Sequence, residues 1–222
     1  MLLAIDTSTS NIGIAVYDGN SIIGEANWVS LNRHTVILAA SVKNLFDTVD
    51  TDITKLRGIA VAMGPGSFTS LRVGLSFAKG MALGLDVPVI GVPTLDILAA
   101  AQPINGLPLC AVLQAGRTKL AAAFYNPSKD KWVESLLVSV YTTESLCEAI
   151  TEPTTVCGEL TADMRTYFRR NNKNIRMASP AMCLRRAGFL AEIAWIRLEK
   201  GDYPPPNTLS PIYLHTKEPI SQ

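Results

Sequence analysis

Histidine is nearly absent from this chain, and that scarcity removes most metal and acid–base chemistry at the outset: 222 residues contain two, His34 and His215. Neither has a second histidine four positions away, the spacing that puts two imidazoles on one helix face, so a helical zinc pair is excluded. The cysteines Cys110, Cys147, Cys157 and Cys183 are widely spaced with no C-x-x-C pair. Among apolar neighbours such as Leu109 and Ala111 they read as buried free thiols. G-x-S-x-G and H-E-x-x-H are missing, as is a Ser-His-Asp signature, which leaves hydrolase mechanisms without their residues. A charge excess is lacking too. Twenty Lys and Arg oppose nineteen Asp and Glu, and a net charge of +1 gives no general attraction to nucleic acid or membrane. Any RNA contact has to be local.

Long apolar runs are also missing. The most apolar window, 77–101, is broken by Lys79, Asp86, Pro88, Pro93 and Asp96, short of the roughly 20 uninterrupted residues that span a bilayer. The opening MLLAIDTSTS has no basic segment and admits Asp6 directly after Ile5. It reads as a buried strand rather than an export signal, and a cytoplasmic protein with no membrane partner is expected.

What is present is an ordinary folding composition, 48% apolar and 18% charged. Three β-rich runs, 2–6, 12–17 and 21–29, are joined by Thr7-Ser8-Thr9-Ser10-Asn11 and by Asp18-Gly19-Asn20, the latter a hairpin signal. Leu38, Val42, Leu45 and Val49 recur at helical spacing over 34–49; a strand follows over 57–63, a helix to about Gly84, a strand over 87–92 and a short helix over 94–101. After Pro103-Ile104-Asn105-Gly106-Leu107-Pro108 the pattern begins again. Strands are expected over 109–114, 119–125, 131–140 and 154–157, with helices over 145–150 and 161–171. The duplication predicts two α/β lobes, 1–103 and 104–222, facing each other across a cleft. The second lobe would carry a long helix over 182–200, closed by Gly201, and an extended tail over 209–215.

Asp6-Thr7-Ser8 ends the first strand and presents a carboxylate, hydroxyls and turn amides together, a set that can hold a hydrated metal ion or cradle phosphate. The same string also reads as an Asx or Ser/Thr turn that satisfies its own backbone. Met63-Gly64-Pro65-Gly66-Ser67-Phe68-Thr69-Ser70-Leu71-Arg72 is more specific: a tight strand-to-helix turn with Ser67 or Thr69 as cap. Its free amides, with Gly64, Gly66 and Arg72, are a candidate anion site. It is not a P-loop, because no lysine occurs until Lys79. Along the helix Ser70, Gly74, Ala78 and Ala82 form one line of small residues, and Ser76, Gly80 and Gly84 a second. Exposed glycines cost a helix about 1 kcal/mol each against alanine, so a packing partner is expected. One line can face the sheet and the other a partner's helix, with Leu71, Leu75 and Phe77 beside it; both lines can also pack within one chain. A leucine at Gly74 is expected to abolish pairing and spare the monomer. His34 lies at a helix start, and Arg169-Arg170, Lys173, Arg176 and Arg185-Arg186 read as solvated basic clusters with RNA phosphate as the alternative.

These residues together resemble the TsaB (YeaZ) family of bacterial tRNA-threonylcarbamoylation proteins, historically filed as glycoprotease-like. The resemblance rests on Ala4-Ile5-Asp6-Thr7-Ser8, Arg33-His34-Thr35, Gly64-Pro65-Gly66-Ser67-Phe68-Thr69 with Leu71-Arg72, Ala82-Leu83-Gly84, Val89-Ile90-Gly91-Val92-Pro93-Thr94-Leu95 and the tail Pro211-Ile212-Tyr213-Leu214-His215. It implies two RNase H-like lobes of the actin-like ATPase fold, each a mixed five-stranded sheet with helices, and a pseudo-enzyme without cofactor. It further implies pairing with a catalytic TsaD subunit or with itself, a TsaE ATPase joining them, tRNA reached only through the complex, and nucleotide, if any, at the partner interface. The implied pairing surface is the first two helices, with His34, Ile37, Leu38, Ser41, Leu45, Ser70, Leu71, Gly74, Leu75, Ala78 and Ala82 as its residues. Three positions depart from the family pattern: Ser70 stands for Gly, Gln114 for Asp, and His215 for Arg. Gln114 cannot supply the second carboxylate of a nucleotide–metal cleft. The competing readings are an ATP-dependent phosphotransferase or ATPase, motivated by Asp6-Thr7-Ser8, and a zinc glycopeptidase, against which the histidine scarcity stands.

Overall fold

The structure, a computed structural model, describes residues 1–30, 34–116 and 118–214, His34 by its backbone. Expectations placed on Arg33, Arg117, His215 and the His34 side chain lie outside the described residues. The elements run β1 (Leu2–Asp6), β2 (Asn11–Tyr17), β3 (Ile22–Val29), α1 (His34–Thr48), β4 (Gly58–Ala62), α2 (Phe68–Leu85), β5 (Val89–Val92) and α3 (Thr94–Ala100). They continue as β6 (Leu109–Gln114), β7 (Leu120–Ser128), β8 (Lys131–Tyr141), α4 (Thr143–Ala149), β9 (Thr154–Gly158), α5 (Ala162–Asn171), β10 (Ile175–Met177) and α6 (Ala187–Lys200).

Two sheets of one plan result, ordered β3-β2-β1-β4-β5 and β10-β9-β6-β7-β8. In each, the first strand pairs antiparallel with the second and parallel with the fourth, so β1 and β6 lie centrally between strands of both senses. β1 is buried along its whole length, as its uninterrupted Leu-Leu-Ala-Ile run requires of a strand covered on both faces. The Asp18-Gly19-Asn20 link turns as expected: Gly19 takes φ +103°, and Asp18 Oδ1 accepts the amides of Asn20 and Ser21. β10 was not located from the sequence; at three residues it is too short to show a period.

The helix expected over 182–200 starts later, at Ala187. Pro180–Cys183 form a 3-10 turn and residues 184–186 run extended into it. Its small and branched face of Ala187, Leu190, Ala191 and Ala194 packs on Leu2, Ala4, Ala15, Ala60 and Ala62 of the first sheet, where alanines on both sides allow close approach. Helix α3 makes the reverse crossing: Leu95, Leu98 and Ala99 enter the core of Leu109, Ala111 and Ala121 in the second sheet. The two halves therefore each cover one face of the other's sheet. Helices α1 and α2 close the remaining face of the first sheet, and α4 and α5 that of the second.

Candidate functional site

The inner ends of β1, β4 and β9 meet between the sheets, and there the chain places a buried ion network. Asp6, at the end of β1, accepts the Ser8 amide at Oδ1 (2.8 Å) and Arg185 Nε at Oδ2 (2.8 Å). Arg185 also donates Nη1 to Glu159 Oε1 (2.5 Å) and Nη2 to Thr9 Oγ1 (2.7 Å). Glu159 further accepts from Thr9 Oγ1 (2.6 Å) and Asn11 Nδ2 (3.0 Å). The side chains of Asp6 and Arg185 are 1% exposed. Burial works against a charged guanidinium, but Asp6 and Glu159 outweigh it and hold Arg185 above its ordinary value. At Glu159 burial alone would raise the carboxyl; the Arg185 charge and the bonds from Thr9, Arg185 and Asn11 override it and hold it below 4.5.

The Gly64-Pro65-Gly66 turn presses onto this loop. Ser67 N–H donates to Ser8 O (2.7 Å), Gly64 N–H to Thr94 Oγ1 (2.9 Å), Thr94 N–H to Gly64 O (2.8 Å), and Ser8 and Thr94 share a hydroxyl bond of 2.8 Å. A Cβ on Gly66 would strike Ser8 O, and Thr7 Oγ1 donates to Ser70 O (2.8 Å) at the start of α2. Ser67 occupies the N-cap position without a side-chain cap bond; its Oγ instead accepts Ser70 Oγ–H. Arg72 is exposed, lies over the Phe68 ring at 3.6 Å and donates to the Tyr213 hydroxyl (3.1 Å).

A nucleotide with its metal does not fit the groups present here. Asp6 has one oxygen on an amide and the other on a guanidinium, and the amides of Gly64 and Ser67 already have protein acceptors. The second-sheet counterpart of Asp6 is the exposed Gln114. The Ser8 amide on Asp6 Oδ1 closes an Asx turn at Asp6-Thr7-Ser8. A cleft of about 730 Å³ stays open beside the network, lined by Pro65, Phe68, Leu113, Gln114, Tyr213 and Leu214 among others. Among the described residues no group of three His, Cys, Asp or Glu is placed to hold a metal ion, and no helix is long and apolar enough to cross a membrane.

On the outer side, burial sorts the expected pairing residues by face. Leu38, Leu45, Ser70, Leu71, Gly74, Leu75, Ala78 and Ala82 are all buried in the chain's own core, while Ile37 and Ser41 are half-buried. A Cβ on Gly74 would meet Thr7 Oγ1, so this line of small residues exists to seat α2 on β1, and the leucine variant expected to spare the monomer would break it. The second line is the open one. Ser76, Gly80 and Gly84 are exposed, and a Cβ on either glycine meets nothing within 4 Å. Leu83 beside them on α2 is 86% exposed, and Val36 on α1 is 67% exposed. Glu159 and Arg185 were missed from the sequence: Arg185 reads there as half of a solvated pair, whereas only its neighbour Arg186 is exposed, paired with Glu25. No local pattern distinguishes the two arginines; only tertiary placement does.

Two sheets of one strand order around a shared cleft, with a carboxylate turn at the inner end of the first strand, define the actin-like ATPase class of fold. The activator of the 2-hydroxyisocaproyl-CoA dehydratase from Clostridium difficile with bound ADPNP shares it at a TM-score of 0.52 and 8% identity, over 90% of this chain and 96% of that one. YeaZ from Pseudomonas aeruginosa superposes with a TM-score of 0.76 and 22% identity, over 95% and 99% of the two chains. The family model described as TsaD: tRNA N6-adenosine threonylcarbamoyltransferase matches residues 29–156, more than half of the chain. The chain belongs to this family, in its TsaB (YeaZ) group. The tRNA threonylcarbamoyladenosine biosynthesis protein TsaB of Bacillus subtilis (strain 168) is 34% identical over 125 residues, 56% of this chain and 54% of the relative. The chain thus spans about half the length of the curated relatives it matches.

Proposed function

We propose that this chain is a non-catalytic partner subunit in forming threonylcarbamoyladenosine on tRNA in the cytoplasm, pairing with a TsaD-type catalytic subunit that a TsaE-type ATPase joins. The observation that carries this reading is Arg185: a protein guanidinium stands against Asp6, where an actin-like ATPase would need its carboxylate free for a hydrated metal. The outward face of α1 and α2, with Gly80, Gly84, Leu83 and Val36, supplies the pairing surface, since its glycines leave room for a second backbone. The same face in a second copy would give a homodimer. Light scattering of the chain mixed with the TsaD-type protein of its own organism tests this, with a 1:1 complex expected at micromolar concentration; two unassociated species would overturn it. Calorimetry with magnesium ATP should show no saturable binding to the isolated chain. Binding that disappears in Asp6→Ala would favour the ATPase reading instead.

A further inference from the structure

Between Asp163 and Glu192 the chain carries seven cations and no carboxylate. With twenty basic and nineteen acidic residues overall, that stretch leaves the rest of the molecule at a net −6. Three of the seven are spent internally: Arg185 in the cleft, Arg186 on Glu25, and Arg165 on Ala178 O and Cys183 Sγ. The other four, Arg169, Arg170, Lys173 and Arg176, are exposed and form no ion pair among the described residues. They run from the last turn of α5 across a short turn onto β10, the edge strand of the second sheet, and Arg176 Nη1 donates to Lys173 O (3.2 Å), holding strand and turn together. Glu144 and Glu148 of α4 act on Tyr167 and pair with none of the four. Large exposed apolar side chains occur on α1, α2 and β8, and none falls between 162 and 177.

A patch of arginine forks and lysine without an apolar anchor lacks the centre a protein interface is built on, and suits phosphate. We infer that Arg169, Arg170, Lys173 and Arg176 form a phosphate-binding surface for structured RNA; resting on the function proposed above, that RNA is the tRNA under modification. Fluorescence anisotropy of labelled, unmodified tRNA tests this, titrating the full-length chain alone and its complex with the TsaD-type subunit at several salt concentrations. The triple variant Arg169→Glu, Arg170→Glu, Lys173→Glu should weaken binding at least about tenfold at low salt and lower the slope of log K against log salt by about 2 to 3. Arg170→Gln alone should give a smaller loss, and Lys129→Glu with Lys131→Glu none. Wild-type affinity in the triple variant, with its melting curve intact, would overturn the inference. So would loss of the TsaD-type partner with tRNA affinity kept, which would make the patch a protein contact. Light scattering on the same samples separates the two claims: a complex that forms while tRNA ignores the patch leaves the proposed function standing, and absence of any complex removes that function while the chain-alone titration still decides the patch.

Discussion

Arg185 keeps a full charge where water barely reaches, a position that costs several kcal/mol in desolvation and is sustained by two carboxylates and a hydroxyl. Arg185→Gln leaves Asp6 and Glu159 facing each other without a counterion. A loss of about 3 to 5 kcal/mol in unfolding free energy is expected by urea titration at pH 7. The pH dependence fixes the sign. In the wild type Glu159 titrates below its ordinary 4.5, so its contribution is fully present above that value and is lost as pH falls through the depressed one. In Arg185→Gln, burial and the nearby Asp6 carboxylate act on Glu159 against only the Thr9 and Asn11 bonds and lift it, so the variant should be most stable in acid and lose stability as pH rises toward neutral. Thermal melts of both proteins between about pH 4 and 8 should therefore slope in opposite directions. Parallel curves would mean that Arg185 does not set the charge state of this site.

At the scale of the element, α2 carries two lines of small residues, one buried and one exposed, and substitution separates them. Gly74→Ala gains about 1 kcal/mol in helix propensity yet drives a methyl into Thr7 Oγ1. A net destabilisation of roughly 2 kcal/mol is expected in denaturant titration. Gly80→Ala meets open space and should stabilise the monomer by about 0.5 to 1 kcal/mol. Gly80→Leu should leave the monomer's melting midpoint near wild type and weaken association with the TsaD-type subunit tenfold or more by light scattering. Equal association by Gly80→Leu and wild type would move the pairing surface elsewhere.

For the molecule as a whole, the coupling of the halves rests on exchange. Helix α6 closes the first sheet, α3 enters the second core, and the 209–214 segment ties both. Leu209 packs on the first core, Ile212 N–H donates to Met63 O (2.6 Å), Tyr213 stacks on Phe68 at 4.9 Å, and Leu214 reaches the second core. Ending the chain after Thr208 removes these contacts. The expected cost is about 3 kcal/mol, at roughly 1.5 to 3 kcal/mol per fully buried large apolar side chain and less for these half-buried ones. Urea unfolding should stay a single transition, because neither sheet keeps both faces covered without the other half. Two separate transitions would show lobes that fold independently.

Much of this was legible in the residues themselves. Apolar runs and period-3.6 patterning located nine of the ten strands and the six helices found among the described residues, all but the start of α6 to within a few residues, because each carries an apolar face its neighbours must cover. The Gly-Pro-Gly turn announced itself, since few other residues make so tight a strand-to-helix junction. Which line of α2 faces inward was not legible: Ser70-Gly74-Ala78-Ala82 and Ser76-Gly80-Gly84 are equally small, and only the position of Thr7, directly after β1, decides between them. Nor was the fate of Asp6, because its partner Arg185 lies 179 residues away and looks, in sequence, like the exposed Arg186 beside it. Local periodicity depends on the chain's own neighbours and is written in sequence order. Charge pairing across a cleft depends on distances that only the folded chain creates.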